Sequence, residues 1–261
     1  MSSRPSSVMI GGMKAQVLAL PGGVMPAGIR YASLQAAVKD AADFHMKDLE
    51  VYATDEPPAD YGIEKEVAAL AAFADSLKLP RFHLVGYSGG GFVSLAFAGT
   101  YPDRLLSLAV FEPARIPGPL GPEESALARR LKAAVAGLQG PDFMRAFTDI
   151  QVRPGAQLPP PPQGAPPPWM AKRPAGIGAM MQAFDRLEFD RERFRKCDFP
   201  VFYGYGDQTA EMVEIQAGIL ARLCPDITVR RFAGIHHFVP AEQIYMPEHV
   251  RALRDLWGRA L

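Results

Sequence analysis

Phe82-His83-Leu84-Val85-Gly86-Tyr87-Ser88-Gly89-Gly90-Gly91-Phe92 is the stretch that decides the architecture. Its first part is a short apolar run, which predicts a buried strand over Phe82–Tyr87. Its second part is rich in small residues and predicts a helix over Gly90–Thr100. Between them lies G-x-S-x-G, centred on Ser88. Glycines on either side of the serine let the chain turn sharply from strand to helix without Cβ clashes. Such an elbow lifts the hydroxyl above the sheet, and the helix N-terminus offers backbone N–H groups to a developing anion. The bare pattern is common, and its weight comes from the strand before it and the helix after it.

The flanking sequence repeats the same alternation. Ala15–Leu20 is an apolar run stopped by Pro21-Gly22-Gly23, which predicts a buried strand meeting a turn. Ala32–Lys47 reads as a helix, Leu49–Thr54 as a second strand and Glu64–Leu77 as an amphipathic helix. Leu105–Phe111 is predicted as a strand following the Ser88 unit. Strands alternating with helices imply right-handed βαβ units and a parallel sheet, with functional groups at the carboxyl ends of the strands. The alternation stops after Glu112. Helical patterns follow at about Glu123–Gly137, Asp142–Ile150 and Ile177–Leu187. Pro154–Pro174 contains nine prolines in 21 residues and cannot sustain a helix. We read that stretch as a connector or a flap, with a flap over the cleft as the hypothesis. Alternation resumes with strands at Pro200–Tyr205 and Ile227–Phe232 and helices at Ala210–Leu223 and Pro247–Ala260. The expected organisation is a core in two parts, 1–114 and 199–261, split by a mostly helical segment over 115–198.

Composition excludes several classes. Among 261 residues, 28 Lys+Arg balance 28 Asp+Glu, so no basic face is available to displace counterions from a nucleic acid. Cys197 and Cys224 cannot form a disulfide framework or a four-ligand zinc site. They read as buried thiols of a reducing compartment, and the expected location is the cytoplasm. No apolar stretch approaches the roughly 20 residues needed to span a bilayer. Val8–Leu20 is largely apolar, but Lys14 interrupts it and it reads as the lead into a buried strand rather than a signal peptide. The expected partner is a small molecule, without nucleic acid, membrane or cofactor, and the chain is expected as a monomer or homodimer.

A serine hydroxyl needs a base, and the base needs an orienting acid. Asp207 follows the strand ending in Gly204-Tyr205-Gly206, and Gly234-Ile235-His236-His237-Phe238 follows the next strand. Ser, then Asp, then His is the chain order that accompanies a G-x-S-x-G elbow. Gly204-x-Gly206-x-x-Thr209 lacks the third glycine of a dinucleotide loop, and no phosphate-loop motif occurs.

On these motifs, together with Tyr101-Pro102-Asp103-Arg104 ahead of an apolar strand, the chain resembles the α/β-hydrolases from Ala15 to Leu261. The resemblance implies a mostly parallel α/β sheet flanked by helices, with a helical cap inserted between the family's strands 6 and 7. It implies Ser88 as nucleophile, Asp207 as acid and His237 as base. His236 competes with His237, which is favoured on register; a metal at the paired histidines finds no third ligand at matching spacing. Glu112 is the rival acid, at the end of a strand where some relatives keep theirs. The oxyanion donors are expected to be the amides of Gly89 and Gly23, with Val24 as the off-by-one alternative; Pro21 stands where relatives carry histidine. Tyr87, Val24 and Trp169 are expected to border the substrate. The family's N-terminal hairpin has only 14 residues available ahead of Ala15, so edge strands there are expected short or absent. His83 reads as a hydrogen-bonded core residue, and His45 and His249 as surface groups on helices.

The implied reaction is hydrolysis of a small to medium apolar carboxylic ester, thioester or lactone. Carbon–carbon bond hydrolysis, perhydrolase or cofactor-free dioxygenase chemistry, and ligand binding with vestigial activity, are the alternatives on the same scaffold. A serine at position 88 argues against dehalogenase or epoxide hydrolase chemistry, which needs an aspartate there.

Overall fold

The computed structural model describes residues 14–158 and 165–259. Among them, six strands form one parallel sheet in the order β2-β1-β3-β4-β5-β6. They are β1 Ala15–Leu20, β2 Ala42–Met46, β3 Phe82–Tyr87, β4 Leu105–Phe111, β5 Val201–Gly206 and β6 Ile227–Phe232. The stretch expected to lack a full N-terminal hairpin, residues 1–13, lies outside the described residues.

The helices are α1 Ala27–Arg30, α2 Ala32–Val38, α3 Ile63–Ser76, α4 Ser88–Thr100, α5 Pro122–Val135, α6 Gly140–Asp149, α7 Arg173–Arg186, α8 Met212–Leu223, α9 Ala241–Ile244 and α10 Pro247–Gly258. Successive strand side chains point to opposite faces, so neighbouring residues enter different cores. Leu18, Leu84 and Val110 pack on the face that carries α3 and α4. Val17, Val85 and Ala109 pack on the face that carries α2 and α10, where Leu253 and Trp257 are buried. Both faces being covered, the inner strands read as continuous apolar runs. Helix α4 is buried around most of its circumference, because it lies between the sheet and a second layer.

One expected pair of elements is corrected. The helix read over Ala32–Lys47 ends at Val38, and β2 occupies Ala42–Met46. Leu49–Thr54 is not a strand but contains a 3-10 turn, Glu50–Tyr52. β2 is an edge strand in which Ala42 and Phe44 are buried and Asp43 is exposed, a period of two. The 3-10 turn exists because the buried Glu66 carboxylate accepts from the amides of Glu50 at 2.8 Å and Val51 at 3.1 Å. His45 therefore lies on β2, not on a helix. His249 is on α10 but 2% exposed, stacked on Phe232 with ring centroids 3.7 Å apart.

Between β4 and β5 the chain carries α5, α6 and α7 and adds no strand to the sheet among the described residues. Its two ends are tied together by Arg191, which donates to both oxygens of the buried Glu124 at 2.8 Å each.

Candidate active site

Ser88 stands at the β3–α4 junction with φ of 52°, the left-handed region that a non-glycine residue enters at a cost. The turn closes because its flanks are glycine. A Cβ on Gly90 would collide with the Pro21 carbonyl oxygen, to which the Gly90 amide donates at 3.0 Å. A Cβ on Gly86 would collide with the Ser94 hydroxyl. The motif therefore presses the start of α4 against the loop after β1, bringing Gly22, Gly23 and Ser88 together.

The structure brings His237 to Ser88. Ser88 Oγ and His237 Nε2 are 3.0 Å apart, and His237 Nδ1 is 2.7 Å from Glu112 Oε2. A carboxylate only accepts, so Nδ1 carries the hydrogen and Nε2 presents its lone pair to the serine. All three residues are buried, at 8% exposure or less. The other Glu112 oxygen accepts from the Gly206 amide at 2.7 Å and the Thr209 hydroxyl at 2.6 Å. Tyr87 stacks on the imidazole at 4.9 Å and its hydroxyl donates to the His237 carbonyl. Behind it, the buried Arg30 guanidinium lies 3.5 Å from the Tyr87 ring centroid.

The expectation that Asp207 orients the histidine is corrected. Asp207 accepts from the Gly234 amide at 2.9 Å and lies 3.9 Å from Arg231, with its side chain 24% exposed. The turn after β5 aims the Gly206 amide, not the Asp207 carboxylate, toward the histidine side, and Glu112 fills that space from β4. The signal that could have found it is Glu112 itself, a carboxylate ending an otherwise largely buried apolar strand. His236 turns away from Ser88. Its Nδ1 accepts from the Phe238 amide at 3.1 Å and its Nε2 donates to the Gln157 carbonyl at 3.2 Å. Burial pushes the His236 imidazole down.

A cavity of about 840 Å³ opens over Ser88 and His237. Gly23, Val24, Tyr87 and Gly89 line it, as do Phe147, Met180 and Phe184 from the segment between β4 and β5. Gly23 N lies 3.7 Å from where a Cβ on Gly89 would stand, so the two expected anion donors are neighbours. Trp169, expected at the substrate, is not among the described residues that line this cavity. Its indole neighbours the Arg173 guanidinium instead, 5.4 Å away.

The start of the proline-rich stretch borders the same cavity. Val152 forms an antiparallel bridge with Thr209, and the Arg153 amide donates to the Gln208 carbonyl at 2.9 Å. Residues 159–164 of that stretch lie outside the described residues.

A family model for the alpha/beta hydrolase fold matches residues 20–243. The chain is an α/β-hydrolase. A 2-hydroxy-6-oxo-2,4-heptadienoate hydrolase from Pseudomonas putida is 50% identical over 50 residues, 19% of this chain and 18% of that enzyme. The chain thus matches less than a fifth of that curated relative's length. Among solved structures, an esterase from Thermogutta terrifontis superposes on this α/β-hydrolase with a TM-score of 0.72 at 20% identity, covering 95% of this chain and 90% of the esterase. A meta-cleavage product hydrolase from Pseudomonas fluorescens gives a TM-score of 0.70 at 16% identity, covering 96% and 93%. At these identities the superpositions speak for the fold. Among the described residues, no helix of this α/β-hydrolase is long and apolar enough to cross a membrane.

Proposed function

We propose that this α/β-hydrolase is a serine hydrolase of apolar, medium-sized carboxylic esters, thioesters or lactones, with Glu112 as the acid of its triad. The observation that carries the reading is the unbroken line Ser88 Oγ, His237 Nε2, His237 Nδ1, Glu112 Oε2 at 3.0 and 2.7 Å. His237 takes the Ser88 proton as the oxygen attacks the substrate carbonyl. The Glu112 carboxylate fixes the tautomer and stabilises the imidazolium that forms. The negative charge on the carbonyl oxygen is held by the amides of Gly89 and Gly23. The imidazolium then gives its proton to the leaving oxygen or sulfur, leaving an acyl group on Ser88. Water, deprotonated by His237, releases the acid and restores the serine. In this reading residues 115–198 are the cap, and the apolar walls from Phe147, Met180 and Phe184 select an apolar substrate.

The test is intact mass after treatment with a fluorophosphonate probe. One adduct is expected on the wild type and none on Ser88→Ala or His237→Ala. A folded wild type without an adduct would overturn the reading. A second reading, carbon–carbon bond hydrolysis, is favoured by the match to the dienoate hydrolase. Turnover of a 2-hydroxy-6-oxo-dienoate far above that of any ester in a matched panel would put it first.

A further inference from the structure

We propose that Tyr52 is a positioning residue for the oxyanion contact of this site, held in place from above by helix α7. The proposal rests on the serine hydrolase reading.

Tyr52 Oη donates to the Gly23 carbonyl at 2.7 Å, and both groups are buried. The Gly23 carbonyl shares a planar trans peptide with the Val24 N–H, so fixing the oxygen fixes that N–H as well. It also limits rotation about Gly23, whose own nitrogen lies beside Gly89 at the start of α4. Without this bond, a loop reading Pro21-Gly22-Gly23 has two consecutive residues of wide backbone freedom. Preorganised donors stabilise a transition-state oxyanion because they need no reorientation when charge develops. A single tether on the carbonyl of this loop supplies that condition.

Tyr52 is gripped on three sides. Below, Glu66 anchors the Glu50–Tyr52 turn through the amides of Glu50 and Val51, and also accepts from Tyr61 Oη at 3.0 Å. Above, Lys172 Nζ donates to the Tyr52 carbonyl at 2.7 Å. The Arg173 guanidinium lies 3.9 Å from the ring centroid. Arg173 is 2% exposed, and its Nε and Nη1 find no hydrogen-bond partner among the described residues, so the ring face is a principal contact of this buried cation. At Gly176 a Cβ would collide with the edge of the Tyr52 ring, 2.1 Å from Cε1, so only glycine lets α7 lie this close. One turn further along α7, Met180 Cε is 2.6 Å from where a Cβ on Gly23 would be. The helix that roofs the cavity therefore rests on the oxyanion loop directly through Met180 and indirectly through Tyr52. Burial pushes the Tyr52 hydroxyl up, so it remains a donor across the working pH range.

Tyr52→Phe removes the hydroxyl and keeps the ring, its Arg173 contact and the fit against Gly176. With a p-nitrophenyl ester, kcat is expected to fall about ten- to hundredfold, less than outright loss of an oxyanion donor, with KM within about twofold. Affinity for a trifluoromethyl ketone, whose Ser88 adduct carries the oxyanion, should fall by a similar factor. Gly176→Ala, whose Cβ displaces the ring and its hydroxyl without removing either, should reproduce the kcat loss. Wild-type kcat in Tyr52→Phe, or a loss of turnover with undiminished ketone affinity, would overturn the proposal. If Ser88→Ala kept full turnover, the serine hydrolase reading would fall instead. Normal wild-type labelling beside an unaffected Tyr52→Phe would remove the Tyr52 proposal alone.

Discussion

Glu112 has φ of 45°, so two of the three residues in the hydrogen-bonded line Ser88–His237–Glu112 sit in left-handed backbone. Each such residue costs of order 1–3 kcal/mol and persists only where its surroundings over-determine it. For Glu112 they do. Its amide donates to the Gly204 carbonyl at 3.0 Å, and its carboxylate receives Gly206, Thr209 and His237. Glu112→Gln is expected to lower kcat about 10³- to 10⁴-fold, because an amide can donate to the imidazole and stabilise the wrong tautomer. Asp207→Asn should change kcat less than about threefold, since that carboxylate holds the Gly234 amide and neighbours Arg231 rather than His237. Steady-state kinetics on the two variants, side by side, decides between the acids. At this scale the Ser88–His237 pair that the structure brings together is legible in the sequence, because the glycines of G-x-S-x-G and the His-His-Phe register are local patterns. The histidine's carboxylate partner is not, because a carboxylate after β4 and one after β5 end neighbouring strands at similar height. Which one meets the histidine depends on a turn that no local pattern encodes.

Among the elements, β1, β3 and β4 carry the bounds that their apolar runs predict, since buried inner strands leave few other readings. β2 reads as the tail of a helix because an edge strand shows one polar and one apolar face over five residues, too short to separate from a helix by periodicity. The segment between β4 and β5 is legible as helical but not in what it touches: Trp169 lies off the cavity, while Met180 and Phe184 line it. That segment is anchored where Arg191 clamps Glu124. The Glu124 side chain is 2% exposed and also accepts from the Gly121 amide at 2.9 Å, closing the first turn of α5. Glu124→Gln leaves Arg191 without its charge partner and should destabilise the fold by about 3 kcal/mol, from the typical cost of breaking a buried pair. Urea unfolding measures it. A change below about 0.5 kcal/mol, the usual size of a surface substitution, would show that the clamp does not hold the segment.

Of the three buried histidines outside the Ser88–His237–Glu112 line, His83 and His249 dominate the acid limb of stability, and His236, also pushed down by burial, adds in the same sense. His83, on β3, exchanges a hydrogen bond with Ser107 at 2.8 Å, and burial pushes its imidazole down to about 4. His249, packed on Phe232, is pushed down to about 4 by burial and then by the nearby Arg230. The unfolded chain titrates both near 6.5. Between about 6.5 and 4 the unfolded state therefore binds more protons than the folded state, so stability is greatest above that window and falls as pH falls through it. Glu66 works in the opposite sense, its carboxyl being pushed up by burial, which adds stability at low pH and loses it as pH rises past its folded value. One carboxyl offsets only part of two imidazoles, so the net slope keeps the histidines' sign. Lowering pH from 7.5 to 5 should reduce unfolding free energy by roughly 2–4 kcal/mol at constant denaturant slope, since each tenfold difference in proton affinity between the two states is worth about 1.4 kcal/mol. His249→Phe retains the stack on Phe232 and removes one titrating group. It should lessen the pH dependence by about half while leaving the neutral-pH midpoint near that of the wild type. An unchanged slope in His249→Phe would mean that this imidazole is not held neutral in the folded chain.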